Sequence, residues 1–235
     1  MTAPLPALNP LVRDVGSPPI PEALAWLSDY DGRHGPPILL SQAAPGAPPP
    51  QDLLDRLAQA AASPEATRYG PILGDDVLRE AYAADVRAVY GGDAGPGEVM
   101  ITAGCNQAYT LAVMTLAQAG ESIILPTPWY FNHAMMLSML GIAARPLPCR
   151  AERGFVPDPA EAEALIDATT RALVLVTPNN PTGAVYPPDV IEAFADLCRR
   201  RSITLVLDET YRDFLPAGTN RPHGVLKRAD WRGHV

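Results

Sequence analysis

The sequence predicts an α/β fold, a three-layer α/β/α sandwich built on a mainly parallel, mixed sheet. Three observations carry this expectation. Short β-branched and leucine-rich runs alternate with longer stretches of helical periodicity, the pattern of parallel strands joined by crossover helices. The runs are apolar at successive positions, as strands covered on both faces are. The carboxyl end of each run carries polar or aromatic residues that packing alone does not require, and ligands bind at that end of such sheets.

Taken in order, residues 1–50 are proline-rich, end in "SQAAPGAPPP", and read as an irregular arm. Residues 51–235 read as one α/β domain. "PQDLLDRLAQAAA" (50–62) has helical spacing through Leu53, Leu54, Leu57 and Ala61. "DDVLREAYAADVRAVYGG" (75–92) is an amphipathic helix, with Val77, Leu78, Ala81, Tyr82 and Val89 recurring at three and four. Gly91 and Gly92 supply its left-handed stop. Then come the alternating pairs. The run "EVMITAG" (98–104) precedes the helix 105–120, and "SIILPTP" (122–128) precedes 129–141. "RALVLVTP" (171–178) precedes 187–201, and "ITLVLDE" (203–209) closes the series. Strands are expected near 98–102, 122–126, 172–176 and 203–208.

The chain has 235 residues, 47% of them hydrophobic, and a net charge of -8. That charge argues against nucleic acid or an anionic membrane as the main partner. No uninterrupted apolar run approaches the ~18 residues of a membrane span. "MTAPLPALNPLVRD" lacks the basic and apolar regions of a secretory signal. Cys105, Cys149 and Cys198 are odd in number and scattered, so reduced thiols and a cytoplasmic setting are expected. His34, His133, His223 and His234 have no metal-ligand spacing, so no metal is expected.

Four stretches carry candidate chemistry. "TAGCNQA" (102–108) turns from a strand into a helix, whose first-turn amides form an anion site that Gly104 opens to close approach. "PTPWYFNH" (126–133) offers aromatic rings, and "VTPNNPTGAVY" (176–186) places two asparagines after a buried run. "LVLDETY" (205–211) ends a buried run with Asp208 and Glu209. A magnesium-binding role for that strand would need a G-x-x-x-x-G-K-[ST] loop, but the chain's single lysine is Lys227 and no "GK" occurs. There is no G-x-G-x-x-G either. The other reading is that Asp208 faces a cation and stabilises a protonated ring nitrogen, as pyridoxal phosphate requires.

From about Ser41 onward the chain resembles the fold-type I pyridoxal-phosphate enzymes, specifically the class I/II aminotransferases related to aspartate aminotransferase. "NNPTG" followed by "LDETY" carries the resemblance, supported by "YGPILG", "TAGCNQA" and "PTPWY" in the family's order. It implies that Asn180 and Tyr211 bond the cofactor's phenolic oxygen and that Asp208 pairs with its pyridine nitrogen. Ala103, Gly104 and Cys105 would cradle the phosphate. Tyr130, or its neighbour Trp129, would lie on the ring, and His133 would support Asp208 from behind. Tyr69 would reach the partner's phosphate across a homodimer interface. Residues 1–50 would be an arm and part of a small domain, and 51–235 an incomplete cofactor-binding large domain.

The implied reaction exchanges an amino group between an amino acid and a 2-oxo acid. Alternatives are a lyase or an aminocyclopropane-carboxylate-synthase-like enzyme on the same fold, or a non-catalytic fragment of it. The family's catalytic lysine, which binds the cofactor covalently, would lie beyond Val235, and Lys227 has none of its surrounding motif. The chain alone is therefore expected to be inactive. The family often has glycine where Ala43 stands.

Overall fold

Four parallel strands in the order β2-β1-β3-β4 form the centre of the computed structural model, which describes residues 6–42, 46–215, 218 and 222–235. In chain order the helices α1 (Pro10–Arg13), α2 (Pro19–Ser28), α3 (Gln51–Ala61), α4 (Asp76–Tyr90) and α5 (Cys105–Leu116) precede β1 (Ser122–Thr127). Then follow α6 (Phe131–Met139), β2 (Ala143–Pro148), α7 (Pro159–Leu165), β3 (Thr170–Val176), α8 (Pro188–Arg201) and β4 (Thr204–Asp208).

Alternation along the strands builds the two interfaces of the sandwich. Ile123, Leu125, Ala172 and Val174 face α5 and α6, where they meet Tyr109, Val113 and Leu137. Ile124, Leu173, Leu175 and Leu205 face α7 and α8, where they meet Ala162, Ile191, Phe194 and Leu197. Both faces are covered, which is why these strands read as continuous apolar runs. The α4 helix stops as expected, with Gly91 at φ 68° and its amide donating to the Arg87 carbonyl.

Three expectations need correction. The run at 98–102 forms no strand. Residues 96–98 make a single 3-10 turn, and the next four have no regular structure and no ladder, although Val99 is extended. A strand needs a neighbour to bond, and this segment has one backbone bond of that kind, from the Ile101 amide to the Leu73 carbonyl. A cavity of ≈ 580 Å³ stands between its Met100 and Thr102 and the outer edge of β4.

The second correction is β2, which the sequence reading missed. "AARPLP" carries two prolines and no β-branched residue, and such a strand is tolerated at a sheet edge, where amides need no partner. The third is the arm, which contains α1 and α2 rather than irregular chain throughout. Neither helix has a buried residue, so the sheet does not order them by packing. Ala43 lies outside the described residues.

Candidate cofactor site

Register brings the chemistry together. Val176, the last residue of β3, pairs with Asp208, the last of β4, so the loops that follow emerge side by side. By alternation Val206 and Asp208 share the face covered by α5 and α6. There a cavity of ≈ 190 Å³ is lined by Ala103, Gly104, Cys105, Asn106, Tyr130, Asn180, Asp208, Thr210 and Tyr211. A larger groove of ≈ 810 Å³ adjoins it and shares Tyr130, Asn180 and Tyr211.

Asp208 is the electrostatic centre. Its Oδ1 accepts from the Thr210 amide at 3.0 Å and the Thr210 hydroxyl at 2.7 Å. His133 Nε2 lies 3.2 Å from Oδ2, close enough to interact but not aligned as a hydrogen bond. The two side chains are 8% and 2% exposed. Burial pushes the carboxyl up, but His133 and Thr210 together outweigh it and hold it at about 2, below the ordinary 3.8. Asp208 is therefore ionised at neutral pH, with Oδ1 already satisfied. His133, from the first turn of α6, stacks on Tyr109 with ring centroids 3.9 Å apart.

This arrangement makes a prediction about acid stability. Because the folded value lies below the unfolded one, the stabilisation is fully present above pH ~4 and is lost as pH falls through about 2. Its size is ~2 kcal/mol. Urea unfolding of the wild type and Asp208→Asn should differ most near pH 7 and converge only below pH ~2; a gap independent of pH would contradict it.

The two asparagines of "PNNPTG" divide the work. Asn179 is buried and shapes its own turn. Its Oδ1 accepts from the Thr182 amide at 3.1 Å and hydroxyl at 2.8 Å, and its amide donates to the Ala184 carbonyl. That fixed turn leaves Asn180 to line the cavity.

At the floor, Gly104 caps α5 with φ 83°, which a residue with a side chain adopts only under strain. The space beside it is open, so the backbone angle, not crowding, selects glycine. The amides of Ala103 and Gly104 are already engaged, by Gln107 Oε1 and the Thr102 carbonyl. The first-turn donors without intrahelical acceptors therefore begin at Cys105. Burial, and then the Asp208 charge against a partial offset from Thr210, pushes the Cys105 thiol up, so it stays protonated.

Of the two aromatic candidates, Tyr130 lines the cavity, whereas Trp129 packs into the α5–α6 core and lines only the groove. Tyr69 is 107% exposed and lines neither. Lys227 is exposed at the end of a short 3-10 turn and lines neither as well. Sequence reasoning missed Thr210, Asn106 and Tyr109 as parts of the site. Only Thr210 had a readable signal, a threonine two places after an aspartate, the spacing of a side-chain turn. Among the described residues no group of three potential metal ligands occurs, and no helix is long and apolar enough to cross a membrane.

Donors at a helix N-terminus, an ionised aspartate, an asparagine, and aromatic rings around one cavity fit a phosphorylated pyridine cofactor. Comparison with known proteins gives the family. Residues 36–231 match the family model for aminotransferase class I and II. The chain is 34% identical over 181 residues to an aspartate/prephenate aminotransferase of Thermus thermophilus, covering 77% of this chain and 47% of that protein. It is 33% identical over 206 residues to a valine–pyruvate aminotransferase of Mycobacterium tuberculosis, covering 86% and 52%. The solved structure of aspartate aminotransferase from Thermus thermophilus with maleate superposes with a TM-score of 0.83 at 30% identity, covering 93% of this chain and 57% of that one. The chain spans about half the length of the curated relatives it matches. With fold, cavity and family pattern in agreement, the chain belongs to the class I and II aminotransferases.

Proposed function

We propose that the full-length protein is a pyridoxal-phosphate-dependent aminotransferase that exchanges an amino group between an amino acid and a 2-oxo acid. The observation that carries the reading is the convergence of Asn180, Asp208 and Tyr211 on one cavity at the N-terminus of α5, in a chain of this family. When bound, pyridoxal phosphate supplies an electron sink for charge developing on the substrate.

The residues supply binding and electrostatics. The first-turn amides of α5 hold the phosphate, and the helix dipole favours its charge. Ionised Asp208 keeps a proton on the ring nitrogen, and His133 behind it fixes the carboxylate's direction. Asn180 and Tyr211 donate to the phenolic oxygen, and Tyr130 supports the ring. The groove beside the cavity receives the substrate amino acid or oxo acid. A cytoplasmic setting is supported by the three free thiols.

The test is a product assay on the full-length protein with pyridoxal phosphate. An aminotransferase consumes a 2-oxo acid in proportion to the amino acid converted. Release of ammonia and pyruvate without an acceptor would make it a lyase and overturn the reading, as would no turnover with any amino acid and oxo acid.

The working form is a homodimer on this reading. Leu53, Leu54 and Leu57 of α3, with Tyr69 and Ile72, leave apolar surface uncovered in one chain, as interaction sites do. Tyr69 would reach the partner's phosphate. Tyr69→Phe is therefore expected to weaken cofactor retention about tenfold, the loss of one hydrogen bond to a charged group. Cofactor release during dialysis of the full-length protein measures it, and a monomer that retains cofactor normally would refute both statements.

A further inference from the structure

The chain leaves β4 through two adjacent carboxylates, and they point to different places. Asp208 lines the cavity with His133 behind it. Glu209 does not line that cavity; it meets a second buried histidine and a second tyrosine. Glu209 Oε2 accepts a short hydrogen bond from the Tyr90 hydroxyl. Its Oε1 lies 3.4 Å from His223 Nε2.

The rings of Tyr90 and His223 lie against each other with centroids 4.7 Å apart, and the residues are 2% and 1% exposed. His223 Nδ1 accepts the Val225 amide at 3.2 Å, which in the neutral ring leaves the proton on Nε2, a nitrogen close to Glu209 Oε1 but not aligned with it as a hydrogen bond. Burial first, then the Glu209 charge, pushes the Tyr90 phenol far above its usual range, with Arg212 opposing. Tyr90 therefore remains a donor.

The same turn is tied down again three residues later. Arg212 donates to Asp85 at 2.8 Å, and its guanidinium sits 5.9 Å from the Tyr90 ring. Asp85 and Tyr90 both belong to α4. Glu209 and Arg212 thus bracket Thr210 and Tyr211, and both hold the turn to one helix. Within the turn the backbone adds a single bond across it, from the Arg212 amide to the Glu209 carbonyl. The Thr210 hydroxyl is held by Asp208 Oδ1, and the side-chain ties of Glu209 and Arg212 to α4 set where the turn as a whole, with Tyr211 in it, stands.

We propose that Glu209, Tyr90 and His223 are positioning residues, which hold the turn after β4 so that Asp208, Thr210 and Tyr211 keep their places around the cavity. None of the three touches the cavity; they act through the residues that do. The inference rests on the aminotransferase reading above. A shift of about 1 Å in groups that orient a reacting molecule costs up to ~100-fold in rate, so loosening the turn is costly even with every cavity residue present.

The test uses the full-length holoenzyme. Glu209→Ala is expected to lower kcat about 10- to 100-fold with the amino-acid KM within about twofold, by the same misplacement. It should also move the pH midpoint of the bound cofactor's absorption change. Glu209→Gln keeps an oxygen for the Tyr90 hydroxyl and should restore most of both. Should Glu209→Ala fail to fold, Tyr90→Phe removes only the hydroxyl and is expected to cost about tenfold in kcat with the same spectral shift. A cluster that only stabilises the fold would lower the melting temperature and leave kcat and the cofactor titration unchanged; that result would overturn the inference. Asp208→Asn in parallel separates the two levels. If it too leaves turnover intact, the cofactor reading itself fails, whereas a large loss there with none in the Glu209 and Tyr90 variants removes only the positioning role.

Discussion

Asp208→Asn in the full-length protein is expected to slow turnover about a thousandfold while the protein stays folded. The rate loss corresponds to ~4 kcal/mol of transition-state stabilisation, reasonable for one desolvated charge pair. Asparagine has the same shape and keeps an oxygen for the Thr210 amide and hydroxyl. It cannot hold a proton on a ring nitrogen by charge. The stability cost at neutral pH is the ~2 kcal/mol of the depressed carboxyl, a fraction of a domain's usual 5–15 kcal/mol. Steady-state kinetics paired with a thermal melt checks both halves. A variant that retains wild-type kcat would remove the basis for the cofactor reading, and one that unfolds would show Asp208 to be chiefly structural.

Phe194→Ala is expected to do the opposite. Phe194 is fully buried on α8, where it packs with Leu173, Leu175 and Leu205 on the face of the sheet away from Asp208. Truncation removes the ring's burial and leaves a cavity that close-packed strands cannot fill, at ~3–5 kcal/mol. Denaturant unfolding should show the loss directly. The fraction that remains folded should turn over at nearly the wild-type rate, because none of the cavity residues is on that face. A variant with a normal denaturation midpoint would mean that the α8 interface adds little to the fold.

These two positions also separate what each level of description decides. Sequence alone carried the α/β class, because strands buried on both faces must be apolar at successive positions, and Leu173–Val176 and Leu205–Leu207 are. It carried Asn180, Asp208 and Tyr211 through the family resemblance of "NNPTG" and "LDETY", and it carried the α4 stop through Gly91. It misread 98–102, since β-branched composition says only that a segment can pair, while pairing needs a neighbour at bonding distance. It missed β2, since the prolines of "AARPLP" forbid a central strand and only the sheet order shows that this one lies at the edge.

The tertiary structure alone decided the partners of the site. Which of two adjacent carboxylates meets His133 and which meets Tyr90 depends on the alternation of β4 and on where α4 and α6 pack. Which of two asparagines reaches the cavity depends on the Thr182 bonds that commit Asn179 to the turn. Those contacts join residues as much as 119 positions apart, Tyr90 to Glu209, and local spacing carries no information about them. The residue types written into the chain set which interactions were possible, and packing of the helices on the sheet selected among them.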